Sequence, residues 1–193
     1  MNMTQPIRDE KRLQLFKHYY ATMEPNVRNQ AMIVLGLNTA LRINDILHIT
    51  WRNIFDFENE KIKDHLNIKE RKTGKQNRIA INQQSKDALM LLLDGQKPVI
   101  PEGYLFQSRK GCNQPLSRSQ AYRIVKKAAV YAGYPESVSC HSLRKTFGYY
   151  AWQQGAAPAV LMSIYNHSSY QITKRYLGIE QDDKDSVFLN IKI

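Results

Sequence analysis

A chain of 193 residues, 42% of them apolar, with a mean hydropathy of −0.52, suits one globular domain with a buried core and leaves a second full domain unexpected. No run nears the roughly 20 apolar residues of a spanning helix, Met1–Glu10 has no apolar signal core, and Cys112 and Cys140 form no CxxC pair; a cytoplasmic protein with free thiols is expected, without zinc or disulfide framework. The 28 Lys and Arg against 17 Asp and Glu, a formal +11, point to a polyanionic partner, with an anionic membrane surface or simple solubility as rivals.

Leu13, Phe16, Tyr19 and Tyr20 recur at helical spacing within Arg8–Thr22, with Asp9 and Glu10 at the favourable N-terminal end. Ala31, Val34, Leu35 and Leu37 repeat the pattern over Asn26–Thr39, and a short helix is predicted over Ile43–Ile49. From Phe55 the period shortens. Phe57, Ile62, Leu66 and Ile68, then Ile79 and Ile81, fall among polar residues at strand spacing and predict a small antiparallel sheet. Thr73-Gly74-Lys75 supplies its last turn and puts Lys72 at a hairpin tip or strand end. Helix resumes over Gln83–Leu93. Beyond a loop with Pro98, Pro101 and Gly103, Ser117 is a suitable N-cap for a basic amphipathic helix ending near Gly133. Helices over Ser142–Gln154 and Pro158–Tyr165, the second with proline in its first turn, precede two more short ones.

Four separated segments matter jointly: Leu41-Arg42-Ile43-Asn44-Asp45-Ile46, Arg71-Lys72-Thr73-Gly74-Lys75, His141-Ser142-Leu143-Arg144, and Asn166-His167-Ser168-Ser169, with Tyr176 nine positions after His167. In this order they resemble the catalytic core of the tyrosine recombinase or phage integrase family, over roughly Ala31–Gly178. Thr39-Ala40-Leu41-Arg42 followed by Asp45 resembles the family's Thr-Gly-Leu helix end, first arginine and acidic residue. Lys72-Thr73-Gly74-Lys75 is similar to its hairpin lysine string, His141 and Arg144 to its His-x-x-Arg box, and Tyr165-Asn166-His167-Ser168-Ser169 to its Leu-Gly-His-Ser-Ser. Asn166 stands where Gly is usual and Gly178 where His often follows the nucleophile. Asparagine tolerates left-handed backbone angles, so Asn166 is expected to keep the turn.

The resemblance implies an α+β, mostly α-helical fold: a single catalytic domain with a small antiparallel β-sheet over residues 1–193. About 30 residues precede the first motif region, so no separate N-terminal DNA-clamping (core-binding) domain is expected in the chain. It further implies strand cleavage and rejoining on double-stranded DNA through a 3′-phosphotyrosine, with neither cofactor nor metal, by a homotetramer on synapsed DNA that can be monomeric when free. Arg42, Lys72, His141, Arg144, His167 and Tyr176 are the implied catalytic set. Always-charged guanidinium forks at Arg42 and Arg144 suit phosphate. Tyr176 would attack, His141 take its proton, His167 donate to a non-bridging oxygen, and Lys72 protonate the departing 5′ oxygen.

Plainer roles stay open for each alone: Arg42 as a surface cap, Lys72 as a solvated tip, His141 as a cap, His167 as a core histidine. Tyr176 is one of eleven tyrosines, selected over Tyr165 and Tyr170 only by its distance from the His-Ser-Ser string. Arg71, Lys75, Arg118, Arg123, Lys126 and Lys127 are candidate DNA-binding residues, or else solvated faces. A type IB topoisomerase-like enzyme and a non-cleaving DNA-binding regulator are the functional alternatives. The apolar Val187-Phe188-Leu189 in the tail is expected to pack on a neighbouring subunit, as such tails often do, or on its own domain.

Overall fold

The computed structural model describes residues 4–134 and 138–191. Helix α1 (Glu10–Thr22) starts at Asp9, whose carboxylate accepts from Arg12 N–H at 2.8 Å. Helix α2 (Val27–Asn38) starts at Asn26, which caps Asn29 N–H in the same way. Ala31 to Gly36 are all buried, so α2 is the central rod, packed against α1, α5 (Gln83–Asp94) and α7 (Cys140–Gln153). Gly36 sets the depth of that last contact: a Cβ there would stand 2.6 Å from Leu143 Cδ1. Because α7 can approach that closely, the residue after Leu143, Arg144, reaches the turn that leaves α2.

That turn carries Ala40 at φ +53° and leads into α3 (Ile43–Leu47) and α4 (Trp51–Ile54). The predicted sheet is hydrogen-bonded as two antiparallel pairs, β1 (Phe55–Asp56) with β2 (Lys61–Ile62) and β3 (His65–Lys69) with β4 (Gln76–Ala80). Phe57 lies in the turn of the first pair and is exposed, so its apolar character marks no strand. In the second pair Leu66 faces Ile79 and Lys69 faces Gln76, which leaves Glu70 to Lys75 as the connecting turn.

Ser117 caps α6 (Arg118–Tyr131) through a reciprocal box with Gln120, as expected. Helix α7 begins two residues earlier than its periodicity suggests, because Ser139 rather than a later residue takes the cap, which brings His141 into the first turn. Helix α8 (Pro158–Tyr165) has the bounds predicted from Pro158 onward; α9 (Tyr170–Leu177) and α10 (Glu180–Asn190) follow. The main core gathers Phe16, Ile33, Leu35, Ile46, Trp51, Leu89, Phe106 and Val125. A smaller one joins Ala40, Tyr165, Leu177 and Ile179 beneath α7. Among the described residues no helix is long and apolar enough to cross a membrane.

Candidate active site

Arg42 is the N-cap residue of α3, with an extended backbone, and its side chain makes no capping hydrogen bond. Its Nη1 donates to Glu70 Oε2 at 2.5 Å, and Glu70 is buried. Burial pushes Glu70 up, but the Thr73 hydroxyl and the Arg42 guanidinium outweigh it and hold the carboxyl below its usual range. Arg144 is 4% exposed; its Nη1 donates to the Ala40 carbonyl, and its guanidinium lies 4.6 Å over the Tyr165 ring. The two arginines therefore flank one turn. Both lower the pKa of His141 and of His167, so they act on one small volume.

Tyr176 projects from α9 beside α8. Its ring centroid is 5.3 Å from Tyr165 and 5.4 Å from His167, and Arg144 reaches its hydroxyl. Burial raises the Tyr176 pKa; the charge and hydrogen bond of Arg144, then Arg42, offset only part of that. His167 sits in the α8–α9 loop with Nδ1 3.1 Å from Thr173 Oγ1. Desolvation and then Arg144 and Arg42 push its pKa below the ordinary histidine value. His141 presents an exposed edge at the start of α7. Desolvation of its inner side, then Lys145, Arg118, Arg144 and Arg42, lowers it as well.

Asn166 ends α8 at φ +56°, ψ +47°, the left-handed conformation that asparagine accepts and most side chains resist. Asn166→Gly is expected to leave the melting temperature within about 2 °C, whereas Asn166→Ala should lower it by about 2–4 °C, near 1 kcal/mol. Calorimetric scans of both variants check this; an unaffected Ala variant would remove backbone conformation as the reason for asparagine.

The hairpin meets this group through Glu70, which holds Arg42, and through Lys75. Lys75 Nζ donates to Asn166 Oδ1 at 3.3 Å, while Lys72 is exposed in the turn and, among the described residues, makes no hydrogen bond or ion pair. Arg42 and Arg144 thus flank Ala40, Arg144, His167 and Tyr176 meet on Tyr165, His141 stands one turn before Arg144 on α7, and Lys72 stays exposed in the hairpin turn. Arg71 is exposed, its backbone N–H held by Asp45 Oδ1 at 2.9 Å. Arg118 is exposed on the His141 side. Farther along α6, Lys127 pairs with Glu24 at 2.5 Å, and Arg123 and Lys126 border a groove with Tyr19, Tyr122 and Tyr131.

Three residues outside the expected catalytic set take part. Glu70 ties Arg42 to the hairpin, accepting also from Thr73 Oγ1 at 3.0 Å. Lys145, buried, donates to the Thr4 carbonyl and lies 5.1 Å over the Tyr176 ring. Tyr165 underlies Arg144, His167 and Tyr176. Among the described residues no group of three His, Cys, Asp or Glu side chains could hold a metal ion.

The sequence model of the phage integrase family matches residues 8–182. A Bacillus subtilis protein named "Probable integrase/recombinase YoeC" is 40% identical over 182 residues, covering 94% of this chain and 93% of its own length. Tyrosine recombinase XerC of Thermodesulfovibrio yellowstonii is 29% identical over 161 residues, 79% of this chain and 50% of the relative. Among solved structures, XerA recombinase superposes with a TM-score of 0.75 at 17% identity, over 99% of this chain and 67% of that one. XerH bound to its difH substrate before cleavage gives 0.72 at 18%, over 90% and 51%. The chain spans about half the length of XerC and XerH. At these identities the structures show the fold: mostly helical, with small antiparallel sheets.

Proposed function

The chain belongs to the phage integrase family, and its relatives support a site-specific recombinase function; on that premise we propose that it cuts and rejoins double-stranded DNA through a 3′-phosphotyrosine at Tyr176. The observation that carries this reading is the meeting of Tyr176, His167 and Arg144 on the Tyr165 ring, at 5.3, 5.6 and 4.6 Å from its centroid, with the Tyr176 and His167 rings 5.4 Å apart. A phosphodiester repels nucleophiles and gathers negative charge on its non-bridging oxygens as phosphorus becomes five-coordinate. Arg42 and Arg144 meet that charge with fixed cations in a desolvated place.

Tyr176, with its pKa raised, attacks only as its proton leaves. His141, whose pKa is lowered, is neutral at pH 7 and accepts that proton. The Thr73-bearing hairpin presents Lys72 to protonate the departing 5′ oxygen. The Thr173 hydroxyl, 3.1 Å from His167 Nδ1, fixes the ring, and His167 donates through Nε2 to a non-bridging phosphate oxygen. Because the ester energy stays in the phosphotyrosine, a 5′ hydroxyl from another strand can reverse the step, and the scheme uses neither ATP nor metal.

The remaining assignments rest on the same reading. The chain acts as one catalytic domain in the cytoplasm; Arg71, Lys75, Arg118, Arg123 and Lys126 face the DNA backbone, with Lys127 joining them if it leaves Glu24. Val187, Phe188 and Leu189 on α10 are 64%, 78% and 84% exposed, which favours docking on a neighbouring subunit of a synaptic tetramer over packing on their own domain.

The test is to trap covalent complexes in EDTA on duplexes from the DNA flanking the gene and to sequence the DNA-linked peptide. A peptide carrying Tyr176 is expected. An adduct on Tyr165 or Tyr170 would overturn the nucleophile, and tight binding without any adduct would favour the non-cleaving regulator.

A further inference from the structure

Tyr165 is 1% exposed and touches three of the proposed catalytic side chains at once. The Arg144 guanidinium carbon stands 4.6 Å from its ring centroid, His167 is stacked on it at 5.6 Å with 27° between the planes, and Tyr176 leans on it at 5.3 Å. Its hydroxyl donates to the Arg144 carbonyl at 2.7 Å, so one residue grips Arg144 at both its backbone and its charged end. A buried phenol placed merely to fill space needs none of these alignments.

Helix α7 is shaped around this ring. At Gly148, one helical turn beyond Arg144, a Cβ would stand 2.9 Å from Tyr165 Cζ, closer still to its hydroxyl, and 2.5 Å from Leu177 Cδ2. Only glycine lets the phenol slide under α7 to reach the Arg144 carbonyl. A guanidinium desolvated over an aromatic face is held by the ring's negative quadrupole, and that hold fixes the direction in which its fork points.

We propose that Tyr165 is a positioning residue, an aromatic platform whose electron-rich surface aligns Arg144 and His167 with the Tyr176 hydroxyl for attack on one phosphate. This rests on the recombinase reading above. Misplacement of a reacting group by about 1 Å costs on the order of 100-fold, which sets the scale expected when the platform is removed.

The test separates alignment from packing. In Tyr165→Leu/Gly148→Ala the added methyl on α7 enters the space that the ring gives up while Leu177 Cδ2, otherwise 2.5 Å from it, turns aside, so the pair restores bulk without an aromatic face. Measured on a nicked duplex carrying the mapped cleavage site, this variant should stay folded, with a melting temperature lowered by the shift of Leu177, bind the duplex alike, and form the adduct about 10- to 100-fold more slowly. Adduct formation at the parental rate would make Tyr165 a space-filler and overturn the proposal.

If the double variant fails to fold, fluorinated phenylalanines at 165 give the same answer with shape preserved. Measured against Tyr165→Phe, the rate should fall stepwise as fluorine drains the ring face; a flat series overturns the platform. A readout that needs no DNA accompanies both: the Arg144 side-chain Nε–H resonance, assigned by its loss in Arg144→Lys, should be shifted by the ring and return to the ordinary position in the Leu/Ala variant. A parent chain that makes no adduct counts against the recombinase reading, while that resonance still decides the platform.

Discussion

Tyr176→Phe is expected to take covalent DNA attachment below detection while duplex affinity stays within about threefold, the worth of one hydroxyl hydrogen bond. The ring contacts with Tyr165 and His167 are kept by phenylalanine, and the +11 formal charge that drives phosphate binding does not change. Denaturing gels report the adduct and native gels the binding, on the same samples. A Phe variant that still couples to DNA would remove Tyr176 from the mechanism; one that loses binding in parallel would show that the phenol serves the interface instead.

The second large effect belongs to Lys72. An alkoxide is a poor leaving group, so Lys72→Ala should slow cleavage of ordinary DNA by on the order of 10²- to 10⁴-fold. Replacing the bridging 5′ oxygen by sulfur makes a leaving group that departs without the proton. Such DNA should restore cleavage by Lys72→Ala, and should not comparably rescue Arg42→Ala or Arg144→Ala, whose lost charge opposes the transition state on either substrate. Equal impairment of Lys72→Ala on both would end its role as the acid. Lys75 would then be next, since it is the hairpin cation that already reaches Asn166.

Much of the candidate site was legible before any geometry, because the order of its motif residues resembles that of a known family, while each residue alone kept a plainer role open. Phosphate needs arginines, a phenol needs a proton partner, and those residue types stood in one order at Arg42, His141, Arg144, His167 and Tyr176. The left-handed turn at Asn166 was legible too, because few side chains tolerate it. What stayed hidden depended on distance in space. Glu70 meets Arg42 across 28 positions, and nothing local in Lys69-Glu70-Arg71 marks it. Tyr165 sat among eleven tyrosines at a spacing that fits ordinary core packing, and only the Gly148 approach reveals why it is a tyrosine. The start of α7 was misplaced because two nearby serines could cap it, and periodicity carries no information about which does. Phe57 was counted toward a strand although a turn residue can be apolar without being buried.

The last two helices differ in how firmly they are held. Helix α9 is anchored through Thr173 and Leu177, with Ile179 just beyond it, each fully buried, and through Tyr176 itself against Tyr165; α10 leaves Val187, Phe188, Leu189 and Ile191 more than half exposed. A subunit could not offer its tyrosine to a neighbour without tearing open the small core beneath α7. Its tail is tied to the body by ion pairs, Arg8 with Asp182 and Lys174 with Asp183, rather than by that core, and could be offered at a smaller cost. Under the proposed reaction, each chain would therefore cut in cis with its own tyrosine, histidines and arginines, and signal in trans through α10. Communication between subunits would then set when a strand is cut and leave each chain's cutting chemistry whole.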